Sequence, residues 1–144
     1  MIFTSSQERH VPLPSKYKNK KVQLDGHKFD SEAEAKHYWF TLKPRLDANE
    51  ITNLQFQPQF LVTIKGRKIC TYKADFSYFD SQAKGPDGQC GALIVEDVKG
   101  YKTDVYRLKK KMVEAAFPGT LISEISAARY RVKKYSLPLP TDQD

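Results

Sequence analysis

The chain has 144 residues, 40% of them hydrophobic and 12% aromatic, which suits one compact domain with a real core and leaves little room for a second. A composition of this kind excludes a wholly disordered chain. The formal net charge of +7, from 24 Lys and Arg against 17 Asp and Glu, favours a polyanionic partner, although charge alone fits a merely soluble basic protein equally well.

No apolar run approaches the roughly 20 residues that a bilayer crossing needs, so no membrane partner is expected. Glu8 and Arg9 come before any hydrophobic stretch, unlike a signal peptide. Cys70 and Cys90 form no CxxC, and His10, His27 and His37 have no metal-ligand spacing with them. Zinc is not expected, and a reducing, cytoplasmic setting is the simplest inference.

In chain order, residues 1–15 read as a loose polar lead-in with Pro12 and Pro14. Lys16, Lys18, Lys20 and Lys21 follow, a basic stretch fitted to phosphate contacts that position nucleic acid without reading its sequence. Val22-Gln23-Leu24 and His27-Lys28-Phe29 flank Asp25-Gly26, the signal of a tight hairpin, because a type I′ turn needs positive φ at both central positions. Ser31 with Glu34 three residues later spells a capping box, and Ala35, Tyr38, Leu42 and Leu46 recur at helical spacing, with Trp39 widening the stripe. Pro44 should kink that helix or end it.

Phe60, Val62 and Ile64 alternate as a strand, a turn follows at Lys65–Lys68, and Ile69–Phe79 reads as a second strand. Residues 80–91, rich in Gly and Pro, read as a long mobile loop. Ala92-Leu93-Ile94-Val95 is a continuous apolar run, the mark of a strand buried on both faces, and it continues to Lys99. Thr103 or Asp104 caps a second helix whose core face is read as Val105, Leu108, Met112 and Ala116. On that wheel Lys110 and Lys111 point to solvent, whereas Lys109 lies on the flank of Lys102, where both lean toward phosphate. Leu121–Ile125 is the last strand. The folded domain is placed at 16–128, with a basic and then polar tail over 129–144. The fold class is α/β, a single mixed central sheet flanked by helices with an N-terminal hairpin.

Buried strands seldom carry acids, yet Asp75 sits in the second strand and Glu96, Asp97 and Lys99 end the most apolar one. Such charges must be paired, solvated in a cleft or bound to metal. Alternation puts Asp97 and Lys99 on one face, about 6.6 Å apart, and Glu96 on the other. If the Asp75 strand pairs with this one, a second carboxylate joins the same cleft. Carboxylates that hold Mg²⁺ beside a lysine are what phosphodiester hydrolysis requires.

Asp75 followed by Asp97-Val98-Lys99 resembles the signature of the PD-(D/E)xK nucleases. The surrounding Lys16–Lys21 run, Gly26 to Ser31 with Glu34, Ala74-Asp75-Phe76, and Glu96–Gly100 followed by Lys102-Thr103 resemble a phage and prophage family of small nuclease-like proteins, similar in plan to phage junction-resolving endonucleases. The resemblance implies a restriction-endonuclease-like αβββαβ core and a DNA endonuclease activity dependent on Mg²⁺, with Mn²⁺ able to replace it. Asp75, Asp97, the Val98 carbonyl and Glu34 would be its metal ligands, and Lys99 its catalytic lysine. It also implies branched or flapped DNA as substrate and, since a junction cutter needs two active sites, a homodimer. Ala74 departs from the proline of the signature.

Plainer readings stand beside these. Glu34 can serve only as a helix cap, with Glu32 as the fallback acid; Asp97 and Lys99 can be a structural ion pair; Glu96 reads as a salt-bridge partner. The competing functions are a non-catalytic DNA-binding module of the same fold and an RNA-directed nuclease.

Overall fold

Strand alternation and helix capping account for most of the architecture in a computed structural model, which describes residues 20–85 and 87–138. β1 (Val22–Leu24) and β2 (His27–Phe29) form the expected hairpin, with Asp25 and Gly26 both at positive φ in its turn. Ser31 then caps α1 (Glu32–His37), its Oγ accepting from the Glu34 N–H at 3.1 Å.

The helix neither kinks apart nor stops at Pro44. A π-turn at Tyr38–Leu42 follows α1 and leads into α2 (Lys43–Asp47), with Pro44 in its first turn. Lys43 N–H reaches back five residues to the Tyr38 carbonyl, so the wider turn accommodates a proline that has no N–H to give and a ring needing space.

Four strands make the central sheet, in the order β3 (Ile51–Phe56), β6 (Phe76–Lys84), β7 (Cys90–Lys99), β8 (Thr120–Ser126). The first three are antiparallel, and β8 lies parallel to β7 because α3 (Asp104–Ala116) carries the chain back between them. The sheet is mixed and flanked by helices, as expected. The hairpin of β4 (Gln59–Ile64) and β5 (Arg67–Lys73) forms a separate two-stranded sheet.

Several expectations are corrected here. β3 has no counterpart among the expected elements: Asn53 stands at positive φ within it and the register shifts between Thr52 and Gln55, so its side chains do not alternate cleanly. The run read as one strand over Ile69–Phe79 is two, broken at Ala74-Asp75. The long loop of 80–91 shrinks to 85–89, since β6 runs on to Lys84 and β7 starts at Cys90. Leu93 is exposed, so β7 is covered on both faces only towards its C-terminal half.

Two apolar clusters sandwich the sheet. Leu24, Phe29, Tyr38, Leu42, Ile51, Phe76 and Val98 pack on the α1 side. Val62, Tyr72, Ala74, Val95, Tyr106, Val113 and Ile122 pack on the α3 side, with the β4–β5 hairpin. Tyr106 and Val113, two turns apart, are the buried residues of α3, whereas Val105 and Leu108 are exposed, so the helix is rotated from the expected face. The chain after β8 is not a frayed tail from 129. A 3-10 turn at Ala127–Arg131 buries Tyr130 against α1.

Candidate active site

The two faces of β7 determine where its acids go. Glu96 and Val98 point toward α1, where Glu96 accepts from the Tyr78 hydroxyl at 2.8 Å and lies 2.7 Å from His37 Nε2. His37 Nδ1 in turn meets the Tyr130 hydroxyl at 2.6 Å, and that hydroxyl lies 2.8 Å from Thr41 Oγ1. Glu96 is therefore a fully engaged structural acid, which agrees with its reading as a pairing residue.

Asp97 points the other way, beneath α3, and is 1% exposed. Lys99 Nζ lies 3.8 Å from its Oδ1, an ion pair too long to be a hydrogen bond. Both Asp97 oxygens thus lack a hydrogen-bond partner. Burial pushes its pKa up to about 6, against the opposing pull of Lys99 and with a further push from Glu124. Glu124 is its neighbour on β8, in register with it, and holds Tyr106 OH at 2.8 Å and Lys102 Nζ at 3.0 Å. Those two hydrogen bonds keep the Glu124 carboxyl below its usual range. Lys99 is held over the Tyr106 ring, 4.4 Å from its centroid.

Asp75 stands in the break between β5 and β6, one position before the Phe76–Glu96 pair, so it lies across from the Asp97 end of β7. Its Oδ2 accepts from the Val98 N–H at 2.7 Å. Burial still raises its pKa, with that hydrogen bond and the Lys99 charge pulling the other way. Glu34, from α1, is buried nearby, and its pKa is pushed up to about 8, first by burial and then by the negative charges of Asp75 and Asp30. The Ser31 hydroxyl donates to Glu34 Oε1 at 3.2 Å, so the cap and the acid cluster share this side chain. Glu32 is exposed and paired with Lys36, so it does not take Glu34's place.

The structure thus brings Glu34, Asp75 and the Val98 N–H together on the α1 side. Asp97 leaves the strand toward α3, and the Lys99 charge acts on both Asp75 and Asp97. Among the described residues no group of three or more His, Cys, Asp or Glu side chains stands at ion-binding geometry. The acids are not a ready-made cage. Their chemistry nonetheless fits an oxygen-preferring cation: two buried carboxyls and the half-buried Asp75, one with no hydrogen bond at all, each held above its usual pKa chiefly by desolvation.

The lysines sort differently from their sequence reading. Lys16 and Lys18 lie outside the described residues. Lys20 and Lys21 are exposed, and Lys20 lines a cleft with Glu34 and Val98. Lys102 is paired with Glu124, and Lys109 donates to the Thr71 carbonyl at 3.3 Å, so both are occupied within the protein. Lys110, expected to face solvent, approaches Glu124 at 3.7 Å because α3 is rotated. Glu124 escapes the sequence reading, although an acid between Ile122 and Ile125 in an apolar strand is the same signal that exposed Asp97.

The family model described as "Protein of unknown function (DUF1064)" matches residues 14–135, most of the chain. The chain belongs to this DUF1064 family. No curated protein and no solved structure matches it. The DUF1064 match spans every site residue described above and both basic runs of the sequence. No helix among the described residues is long and apolar enough to cross a membrane.

Proposed function

We propose that this DUF1064 chain is a metal-dependent endonuclease that hydrolyses phosphodiester bonds in DNA, with Glu34, Asp75, Asp97 and Lys99 at its active centre. The observation that carries the reading is the Asp97 carboxylate, 1% exposed with neither oxygen hydrogen-bonded. An unsatisfied buried group of this kind costs about 1–3 kcal/mol, more when it is charged, so a side chain present only for stability would be apolar or hydrogen-bonded as well as ion-paired. The order α1, β3, β6, β7, α3, β8 supports the αβββαβ plan that the nuclease resemblance implies, with the β4–β5 hairpin as an insertion.

Asp75, Glu34 and the Val98 carbonyl would hold the ion, and Asp97 would join them only by swinging from beneath α3 toward the Asp75 side, because the two carboxyls diverge here. Bound Mg²⁺ or Mn²⁺ supplies charge neutralisation of phosphate oxygens and a lowered pKa for a coordinated water. Lys99 presents a second positive charge to the phosphate, its ammonium steadied between Asp97 and the Tyr106 ring. Glu34, pushed up to about 8 by burial and by the charges of Asp75 and Asp30, would give up its proton to a bound cation, since a ligating carboxylate must be ionised.

Incubation with supercoiled plasmid and with synthetic four-way junctions, in Mg²⁺ or in EDTA, tests the proposal. Cleavage should require the metal and fall by more than about 100-fold in Asp97→Asn, since even groups that only orient metal ligands are worth about 10–100-fold. Faster cutting of junctions than of linear duplex would support a branched substrate and two sites in a homodimer. The missing ready-made cage favours a second reading, a DNA-binding module without catalysis. Tight binding with no cutting in either Mg²⁺ or Mn²⁺ would establish that reading instead.

A further inference from the structure

The two basic runs of the sequence, Lys16–Lys21 and Arg129–Lys134, are more than a hundred residues apart, yet the fold brings a cation from each to one cleft. It has a volume of about 340 Å³ and lies between the start of α1, the end of β7 and the 3-10 turn. Lys20 enters from one run and Arg131 from the other, and Glu32, Glu34 and Lys36 of α1 line the same cleft with Val98. Lys36 donates to the Tyr130 carbonyl at 3.0 Å and pairs with Glu32 at 3.1 Å. Neither Lys20 nor Arg131 has an acidic partner among the described residues. Tyr130, buried and bonded to His37 and Thr41, fixes the turn that carries Arg131.

We infer that this cleft seats one phosphate-bearing unit of a single nucleic-acid strand, with Lys20 and Arg131 as its phosphate contacts, beside Glu34 and the end of β7. Three considerations lead there. Lys20 and Arg131, each without an acidic partner among the described residues, meet at one concavity, whereas Lys102 and Lys109 are consumed internally. The volume is at the lower end of the range of small-ligand pockets, enough for one nucleotide unit and too little for a duplex. Gly100 lines the wall without a side chain of its own. The inference rests on the reading of Glu34 and β7 as a phosphodiester site, and supplies the strand-binding part of it.

Fluorescence anisotropy with labelled single-stranded DNA, and RNA of the same sequence, in EDTA over a range of salt concentrations tests it. Removing one phosphate-binding cation should flatten the log–log salt dependence by about 0.7 and weaken binding roughly fivefold near 0.1 M salt. Lys20→Gln and Arg131→Gln should each do so. Lys111→Gln, on an exposed face of α3, should not. Gly100→Leu should weaken binding by filling the cleft while leaving the slope of the residual binding steep. Wild-type slopes and affinities in Lys20→Gln and Arg131→Gln, or no strand binding at all, overturn the inference. Because no metal is present, strand binding through the cleft without cutting in Mg²⁺ would overturn the nuclease reading alone. Metal-dependent cutting with no effect of Lys20 or Arg131 would overturn the cleft alone.

Discussion

Asp97 keeps a carboxyl in a place where folding alone would not put one, and the Glu34 carboxyl, which also serves the Ser31 cap, is buried against other acids. Replacing Asp97 by Asn removes the ionisable charge at nearly constant volume, so the variant should be about 1 kcal/mol more stable to urea near pH 8 than the wild type, even as cleavage disappears. A less stable variant would mean that the Lys99 pair matters more than the missing hydrogen bonds. Glu34 gives a pH signature. Its folded pKa of about 8 lies above the ordinary 4.5, so the folded chain holds the proton more tightly than the unfolded one. That stabilisation is complete below about pH 4.5 and disappears as pH rises through about 8; Asp97 acts in the same sense between 3.8 and about 6. The urea midpoint should therefore fall from about pH 5 to about pH 9, and Glu34→Gln should flatten the alkaline part of that fall. An unchanged profile in Glu34→Gln would show that burial and the charges of Asp75 and Asp30 do not act on it as the structure implies.

Among the elements, the 3-10 turn contributes most beyond what its length suggests. Tyr130, 1% exposed, closes a hydrogen-bonded chain through His37 to Glu96, tying α1 to β7 and so the Glu34 helix to the Asp97 strand. Tyr130→Phe keeps the ring and leaves His37 Nδ1 and Thr41 Oγ1 without that partner, which should cost about 1–3 kcal/mol in thermal or urea unfolding. A cost near zero would mean that water replaces the hydroxyl. The turn is hidden in the sequence because residues 129–134 look like plain solubilising charge; one tyrosine among them carries the packing. The face of α3 is obscured for a related reason. Val105 and Leu108 are the more hydrophobic residues, but Tyr106 finds both an apolar surface and a partner for its hydroxyl in Glu124, so the helix turns to bury it.

For the molecule as a whole, one sheet separates two cores, and the site lies where that sheet ends. Leu42 and Val113, both 0% exposed, belong to different clusters on opposite faces. Leu42→Ala should cost about 2–5 kcal/mol and Val113→Ala about 2 kcal/mol. Without shared neighbours, the double variant should equal their sum within about 0.5 kcal/mol, measured by urea unfolding. A large departure would mean that the sheet transmits strain between its faces. Charge also acts at this scale: a net +7 is a property of the whole chain, but only the fold distinguishes cations spent on Glu124 and Thr71 from those left facing the cleft.

The local codes are legible without any coordinates. Asp25-Gly26 specifies its hairpin because few residue pairs tolerate two positive φ values, and Ser31 and Thr103 announce their helices because a side-chain oxygen must meet the first free N–H groups. Acids in apolar strands point to Asp75 and Asp97, since burying charge is too expensive to be casual. Tertiary structure alone decided which acids meet. Alternation fixed that Asp97 and Glu96 diverge, but only the packing of α1 and α3 on opposite faces determined that Glu34 lies near Asp75 while Asp97 faces Glu124. Long-range pairing also decided that residues 51–56 become an edge strand, and that cations distant in sequence become ion pairs or line a cleft. Short-range sterics and hydrogen bonding are written in neighbouring residues; burial and charge pairing depend on partners that the linear order does not name.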